Sequence, residues 1–257
     1  MCGRYASSRR PEDLVEEFEI DSVQVKEILA PDYNVAPTKP VYAVVERPAR
    51  PSSDEEDQPG PAQRQLRVLT WGLVPFWAKD ATIGNRMINA RMETVSDKPA
   101  YRKAFASRRC VLPADGYYEW YATEQKNKAG KPLKQPFFIR PMDNSSLAMA
   151  GLYEIWRDPT RDYEDPERFR WTCTVLTTSA ADDLGHIHDR MPLLVEPDRR
   201  ALWLDPGTSS AELLKELLVP AAPGRLSAYP VTTQVNNVKN NGAELLEPLA
   251  TEPLEPA

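Results

Sequence analysis

The chain has 257 residues and a formal net charge of −6, with the 41% hydrophobic and 27% charged residues of an ordinary globular protein. No apolar run approaches the roughly 20 residues of a membrane-spanning helix, and the N-terminus lacks the apolar core of a signal peptide. The three cysteines, at positions 2, 110 and 173, are too widely spaced for a disulfide framework or a Cys-x-x-Cys metal site. These features predict one or two domains in a reducing, intracellular compartment.

The acidic residues are unevenly distributed along the chain. They concentrate in three segments, 54–57, 158–167 and 243–257, so the rest of the chain has an excess of Lys and Arg. A basic face that binds nucleic acid is therefore compatible with a protein that is acidic as a whole.

The first four residues, Met-Cys-Gly-Arg, place a cysteine second in the chain. If Met1 is removed, Cys2 carries both a free α-amine and a thiol. The amine can condense with an aldehyde to an imine, and the thiol can then close a five-membered thiazolidine ring. An α-amine has a reference pKa of about 7.7–8.0 against about 10.4 for lysine, so more of it is unprotonated near neutral pH. The pattern favours a covalent role for Cys2; an inert buried cysteine is the alternative.

The next elements are predicted from apolar periodicity and turn residues. Ser8 to Ile20 is a short amphipathic helix with a proline near its start. A turn-rich loop over 33–38 leads into a buried strand over 41–45, and 66–71 is another strand. The proline-rich, acidic segment 47–65 between them has no periodicity and is predicted to be a disordered insertion.

The stretch from Trp71 to Trp77 is rich in aromatic residues. It is either a small hydrophobic cluster or a platform on which nucleic-acid bases stack. A helix is predicted over 99–109, with a proline near its start and arginines at its end. The basic residues of this region are candidates for phosphate contacts, with a solvated surface as the alternative. They are Arg86, Arg91, Arg102, Lys103, Arg108 and Arg109.

A strand is predicted over 110–114, and a second strand over 117–121 follows a turn. Alternation along the second strand places Glu119 on the same side as Tyr117 and Tyr121. A carboxylate held among aromatic rings has a raised pKa and suits general-acid chemistry. A strand-edge glutamate that faces water is the alternative.

Strands over 147–156 and 171–178 and a short helix over 179–184 precede the only two histidines, His186 and His188. A His-x-His pair can bind a metal ion. No third ligand is evident, however, so proton transfer near neutral pH is favoured.

The C-terminal part contains two more predicted helices, over 197–204 and 209–218, the second with a capping box that begins at Ser209. A strand is predicted from Val231 onward. Residues 243–257 are rich in proline and glutamate and are predicted to be a disordered acidic tail.

Six short sequence blocks occur together in this chain. They are MCGR at 1–4, YNVAPT at 33–38, NAR-x-ET at 89–94, ADGYYEW at 114–120, HDRMP at 188–192 and NVKN at 237–240. One block alone is weak evidence, but the combined pattern resembles the SRAP family, the SOS-response-associated peptidases, whose better-known members shield abasic sites. The resemblance covers nearly the whole chain except the insertion, the acidic loop and the tail.

The resemblance implies a single domain over 1–242, an α+β fold with antiparallel strands forming a barrel-like core flanked by helices. It implies that Cys2, after loss of Met1, attacks the aldehyde of an abasic site in single-stranded DNA, with no metal or organic cofactor. Lyase chemistry and removal of the protein's own first residue also belong to the family. The catalytic residues carried over are Cys2, Asn89, Glu119 and His188. Those carried over for DNA binding are Arg4, Pro37, Trp71, Trp77, Arg91 and Lys98.

These side chains suit the implied chemistry. His188 can protonate the ring oxygen of the closed abasic sugar to release its aldehyde. Glu119, if protonated, can assist the loss of water from the carbinolamine, and Asn89 can orient the amine without titrating.

Two other functions fit parts of the sequence. Glutamine amidotransferases also begin with a processed Cys-Gly, so an N-terminal-nucleophile amidohydrolase is one alternative, although those chains usually continue Cys-Gly-Ile. A non-catalytic module that binds single-stranded DNA is the other. The favoured interpretation is a monomer, nuclear in a eukaryote or cytoplasmic in a bacterium.

Overall fold

The computed structural model of the protein describes residues 2–48, 60–180, 187–218, 220 and 224–249. The strands are, in chain order, β1 Tyr5–Ser7, β2 Ser22–Gln24, β3 Asp32–Val35, β4 Pro40–Pro48, β5 Ala62–Trp71, β6 Asn89–Arg91, β7 Arg109–Ala114, β8 Gly116–Lys126, β9 Pro132–Pro141, β10 Leu147–Arg157, β11 Phe169–Ser179, β12 Arg190–Pro192 and β13 Leu226–Pro230. The α-helices are α1 Pro11–Phe18, α2 Arg102–Ser107, α3 Arg200–Leu204 and α4 Ala211–Glu216. In the described part of the chain, no helix is long and apolar enough to cross a membrane.

Five strands close into a barrel. β5, β4, β7, β10 and β11 are antiparallel neighbours in that order, and β11 pairs with β5 in parallel to complete the ring. The closing pairs are Thr172 with Thr70 and Cys173 with Trp71. β6 adds to the outside of this seam by pairing with β11. The α+β architecture with a barrel core is thereby confirmed.

Both sides of the barrel wall are buried, which explains the unbroken apolar run of β4. Because side chains alternate along a strand, Val41 and Val45 belong to the cluster that fills the barrel, whereas Tyr42 and Val44 belong to the cluster outside it. The helices cover this outer cluster. They contribute Leu14 and Phe18 from α1, Phe105 from α2, Trp203 from α3 and Leu214 from α4.

A second sheet, in the order β13-β9-β8-β1-β3, positions the N-terminus. β1 pairs with β8 through Tyr5 and Tyr117, and the amide of Tyr118 donates to the carbonyl of Arg4 at 2.9 Å. The residues before β1 therefore run alongside β8 in the direction of Glu119.

The helix predicted over 99–109 is shorter in the structure. α2 ends at Ser107, and Arg109 begins β7 in an almost completely buried position. Its guanidinium donates to the carbonyls of Trp203 at 2.6 Å and Phe105 at 2.9 Å. The expectation of a phosphate contact is therefore wrong for Arg109, because backbone oxygens occupy its donors.

Two predictions in the C-terminal part are wrong by a few residues. Ser210 rather than Ser209 caps α4, its hydroxyl accepting from the amide of Leu213 at 3.3 Å. The strand expected from Val231 onward lies before that residue, as β13, and Val231 itself forms only an isolated bridge with Pro248. The loop predicted over 33–38 begins within strand β3, and the short strands β1, β2, β6 and β12 were not predicted.

The insertion predicted over 47–65 is shorter at both ends, because β4 continues to Pro48 and β5 begins at Ala62. The remaining insertion residues 49–59 lie outside the described residues. The predicted helix over 179–184 falls mostly outside them, and so does His186.

The acidic tail is ordered at its start. A 3-10 helix covers Ala243–Leu246, and Leu245 is completely buried against the second sheet. The disorder predicted from residue 243 is therefore wrong for this part, and residues 250–257 lie outside the described range.

Candidate active site

Cys2 lies in a completely buried position at the start of the described chain. If the antiparallel register of β1 with β8 is continued backward, Gly3 comes opposite Glu119, and Cys2 follows beside it. The side-chain amide of Asn89, at the start of β6, donates to the carbonyl oxygen of Cys2 at 2.7 Å. The second sheet and the barrel seam thus meet at Cys2.

Glu119 occupies the buried side of β8, as the alternation of the strand predicts. Only 3% of the residue is exposed, and Phe137 of β9 is its cross-strand neighbour. Burial raises the pKa of Glu119 to about 7. The sequence-based expectation of a raised pKa is confirmed, and this carboxyl group can exchange a proton near neutral pH.

His188 faces Glu119, with its Nε2 atom 3.9 Å from a carboxylate oxygen. The amide of Arg190 donates to Nδ1 at 3.0 Å, and a carboxylate oxygen of Asp189 lies 2.9 Å from the same nitrogen. Nδ1 cannot accept the amide proton and also donate to Asp189. We assign Nδ1 as the acceptor of the Arg190 amide proton, because the Asp189 side chain is 87% exposed and solvated. Burial lowers the pKa of His188, so the neutral imidazole carries its proton on Nε2, toward Glu119.

A salt bridge between two of the sequence blocks fixes this arrangement. Arg190 binds Glu93 through two contacts, at 2.6 Å and 3.1 Å, and also donates to the carbonyl of Thr177 at 2.6 Å. A bidentate pair holds both orientation and distance. It therefore fixes the position of β6, which carries Asn89, relative to the loop that carries His188.

Glu119 and His188 line a pocket of about 470 Å³, which we call the Cys2 pocket because the buried Cys2 lies behind Glu119. Its lining residues are Arg4, Glu119, Trp120, Lys134, His188 and Asn236. Three of these lining residues, Trp120, Lys134 and Asn236, were not predicted from the sequence. The only sequence feature that could have indicated Lys134 is its basic side chain on β9, the partner of the strand that carries Glu119. Its positive charge acts to lower the pKa of both Glu119 and His188.

Asn34 is a further residue that the sequence analysis missed. It is completely buried, and its side-chain amide donates to the carbonyls of Val235, Asn237 and Asn240 at 2.9–3.2 Å. Its oxygen accepts from Arg4 at 2.7 Å. Asn34 therefore connects Arg4 to the loop that carries the NVKN block.

The residues expected to bind DNA are distributed over different environments. Arg4 lines the Cys2 pocket, and Arg91 and Lys98 are exposed on the surface. Trp77 is 50% exposed and Pro37 is half-buried, so both retain accessible surface.

Trp71 differs from the other residues predicted to stack on bases. It is completely buried, donates to the carbonyl of Ile88 at 2.9 Å and packs edge-on against Tyr5. A stacking role for Trp71 is therefore wrong for this structure, since no face of the ring is open. The indole supports β1 from inside the barrel.

The three cysteines are free thiols in buried positions. Burial raises the pKa of the Cys2 thiol, and the charge of Glu119 adds to this effect. The thiol is thus held in its protonated form. Among the described residues no group of three or more His, Cys, Asp or Glu side chains could hold a metal ion.

Comparison with known proteins identifies the family. The sequence model of the family described as SOS response associated peptidase (SRAP) matches residues 1–238. Abasic site processing protein YoaM of Bacillus subtilis is 37% identical over 96% of this chain and 98% of its own length. Abasic site processing protein YedK of Escherichia coli is 34% identical over 97% of this chain and 100% of its own. A crystal structure of a protein from Bacteroides thetaiotaomicron, 25% identical, superposes with a TM-score of 0.76 over 97% of this chain and 100% of its own. The chain therefore belongs to the SRAP family.

Proposed function

We propose that this protein processes abasic sites in single-stranded DNA by forming a covalent bond through Cys2. One observation carries the proposal: Asn89 holds the backbone of Cys2 at 2.7 Å beside a pocket lined by Glu119 and His188. Cys2 supplies the nucleophile, and the two side chains that line the neighbouring pocket can donate protons, as aldehyde chemistry requires. The names of the two bacterial relatives, both abasic site processing proteins, support this substrate.

The first steps open the sugar and form an imine. The abasic sugar is mostly a closed hemiacetal. The protonated imidazolium form of His188 can give its Nε2 proton to the ring oxygen while the C1′ hydroxyl gives its proton to water, and the bond between C1′ and the ring oxygen breaks to leave the aldehyde. The amine of Cys2, freed by loss of Met1, then adds its lone pair to C1′. The resulting carbinolamine takes a proton from Glu119 and loses water, which leaves a protonated imine, and the N–H proton of that imine returns to the Glu119 carboxylate.

The thiol completes the cross-link. Its raised pKa keeps it protonated until the imine has formed, so it does not react first. The sulfur then bonds to C1′, the imine π electrons move to nitrogen, and the thiol proton follows them. The product is a thiazolidine ring, and no group is oxidised or reduced.

Asn89 supplies the orientation that the amine needs. Its Nδ2 atom is bound to the Cys2 carbonyl, while its Oδ1 atom is buried and has no hydrogen-bond partner among the described residues. A buried polar atom without a partner is uncommon and indicates a group that acts during function. We assign this oxygen as the acceptor for an N–H of the Cys2 amine.

Removal of Met1 is part of the same proposal. Hydrolysis of the Met1–Cys2 peptide adds one water molecule, and Glu119 is placed to take a proton from that water and return it to the new amine. The same carboxyl group can assist hydrolysis of the imine and proton abstraction in a β-lyase reaction.

The decisive experiment is a denaturing gel with a single-stranded oligonucleotide that contains one abasic site. The processed protein should give a heat-resistant adduct, and an intact strand of the same sequence should give none. Cys2→Ala keeps the amine and can form a borohydride-trapped imine, but not the stable ring. Cys173→Ala, which removes another buried thiol, is the matched control. A heat-resistant adduct from Cys2→Ala would refute the thiazolidine, and a glutaminase activity would favour the amidohydrolase.

A further inference from the structure

A second pocket of about 470 Å³ has no role in the chemistry at Cys2 and shares no lining residue with the Cys2 pocket. We call it the Phe76 pocket. Its central lining residues are Arg47, Phe76, Lys103, Arg108, Tyr153 and Glu154. A volume of this size is in the range of pockets that hold small organic ligands.

The carboxylates at the Phe76 pocket have cationic partners within the protein. Glu154 is 3% exposed and accepts from Nε of Arg108 and from the amide of Phe76 at 3.1 Å. Glu46, at the rim, lies 3.9 Å from Arg64, which is outside the lining. Arg47 and Lys103 form no salt bridge among the described residues, although the charge of Lys103 opposes the rise in the pKa of Glu154. The lining has three cations, with Arg108 as the third, against two carboxylates, so the pocket favours an anionic ligand.

Both of these cations lie over aromatic rings. Nζ of Lys103 is 4.6 Å from the centre of the Phe76 ring, and the guanidinium carbon of Arg47 is 5.0 Å from the centre of the Trp171 ring. Trp171 in turn stacks on Tyr153 with a centroid distance of 5.5 Å and an interplanar angle of 11°. A cation held over a ring keeps its N–H donors for an anion, and the rings form flat apolar walls.

We propose that the Phe76 pocket binds one nucleotide unit of the single strand that carries the abasic site. The base lies against Phe76, which is 49% exposed, and the phosphate lies between Arg47 and Lys103. Cations that alternate with aromatic side chains are the usual means of binding single strands without sequence preference. This inference rests on the proposed function, since it adds a second contact to the same strand.

The loop that carries Phe76 adjoins the segment that leads to Asn89, the residue that binds the Cys2 backbone. The amide of Leu73 donates to the carbonyl of Met87 at 3.1 Å, and Asn89 donates to the carbonyl of Cys2. Phe76 lies three residues after Leu73, and Asn89 lies two residues after Met87. At no more than about 3.6 Å per residue, Phe76 and Asn89 therefore lie within roughly 25 Å of each other. A strand of several nucleotides spans that distance.

The test measures how the effect of removing two positive charges on affinity depends on oligonucleotide length. Fluorescence anisotropy measures the affinity of intact single strands of increasing length for the wild type and for the double variant Arg47→Gln/Lys103→Gln. We expect about tenfold weaker binding of long strands, no change for the shortest strands, and a slope of log affinity against log salt reduced by ~0.7 for the one lost phosphate contact. Lys128→Gln/Lys131→Gln, in the exposed β8–β9 turn, is the control for net charge.

Further measurements separate this inference from the proposed function. If the wild type gives a covalent adduct but the double variant binds long strands like the control, the Phe76 pocket proposal is overturned. If the length-dependent loss occurs but the wild type forms no adduct, the pocket stands and the cross-linking function fails. Free deoxynucleoside monophosphate that binds as tightly as the long strand would overturn the strand proposal in favour of a free nucleotide. Phe76→Leu leaves the net charge unchanged and should weaken the binding of long strands but not of the shortest strands.

Discussion

Glu119 and Glu154 are each 3% exposed, and burial raises the pKa of both, yet they differ in what surrounds them. Glu154 accepts from the guanidinium of Arg108, which opposes the effect of burial, and from a backbone amide. Glu119 faces His188, whose neutral form is favoured, at 3.9 Å, and the charges of the N-terminus and Lys134 only partly oppose the effect of burial on its pKa. Burial alone does not make a catalytic acid. A buried carboxylate with an arginine partner stabilises a pocket, whereas one beside a neutral imidazole can exchange a proton near neutral pH.

The largest effect should come from blocking the amine of Cys2. A residue retained ahead of Cys2 turns the amine into an amide nitrogen, whose lone pair is delocalised and cannot form an imine. We expect cross-linking to be lost completely, while the affinity for intact single strands stays the same. A denaturing gel and anisotropy measure the two quantities, before and after a protease exposes Cys2. A stable adduct from the blocked protein would mean that an internal lysine or thiol is the nucleophile.

Exchanging each buried glutamate for glutamine tests the comparison directly. Glu119→Gln removes the exchangeable proton and should slow cross-linking by about 100-fold, the usual contribution of general acid catalysis. Glu154→Gln should leave the rate on short abasic strands unchanged and lower the free energy of unfolding by about 1–3 kcal/mol, because Arg108 loses its partner. Gel time courses and denaturant unfolding provide the data. Equal slowing by both variants would contradict the distinction.

The raised pKa of Glu119 also predicts a stability difference. The pKa rises from its ordinary value of 4.5 to about 7 on folding, so the folded state binds the proton more tightly. The stability that this proton contributes is complete below pH 4.5 and is lost as the pH rises to about 7. Glu119→Gln should therefore stabilise the protein above pH 7 by up to about 3 kcal/mol and change little near pH 4. Thermal unfolding at both pH values checks the sign.

Arg190→Lys should have a smaller effect on the rate. Lysine keeps the charge but cannot make the two parallel contacts to Glu93, so the relation between Asn89 and His188 loosens. We expect cross-linking to slow by about tenfold, as misplaced catalytic groups do. An open-chain aldehyde substrate should be affected less, since it does not need His188. Equal slowing of both substrates would place the defect elsewhere.

The smallest effect should come from Arg91→Ala. Arg91 is exposed and its contact with DNA is electrostatic, so the affinity for single strands should fall about threefold regardless of base sequence. The salt slope should decrease by ~0.7, the value for one phosphate. Anisotropy titrations at several salt concentrations with two base compositions test this. A loss confined to one sequence would argue for base recognition.

The sequence correctly predicted burial for residues whose burial depends on the pattern of side chains within their own strand. Glu119 is buried because alternation along β8 places it there, and the apolar run of β4 reports a wall that is covered on both sides. Trp71 was misjudged because its burial depends on the barrel closing through a parallel pair with Cys173, about a hundred residues away. Local sequence carries no signal of that contact.

Asn34 and Arg109 illustrate the same limit. Asn34 binds carbonyl groups that lie 201–206 residues away, and Arg109 binds the carbonyl of Trp203, 94 residues away. A polar residue in a loop or at a helix end looks solvent-exposed until its distant partners are known. The sequence blocks identified the site through their resemblance to a family, although the blocks do not show which residues are in contact.

The contact between Arg4 and the carbonyl of Val235 has a consequence for the order of events during synthesis. The ribosome makes residue 4 long before residue 235, and the hydrogen bond of Trp120 to Asn236 has the same requirement. The Cys2 pocket is therefore complete only after residue 236 has been made. Self-removal of Met1 would have to follow that point, whereas an aminopeptidase can act before it. A chain that stops at residue 230 should keep its methionine if the pocket does the cutting.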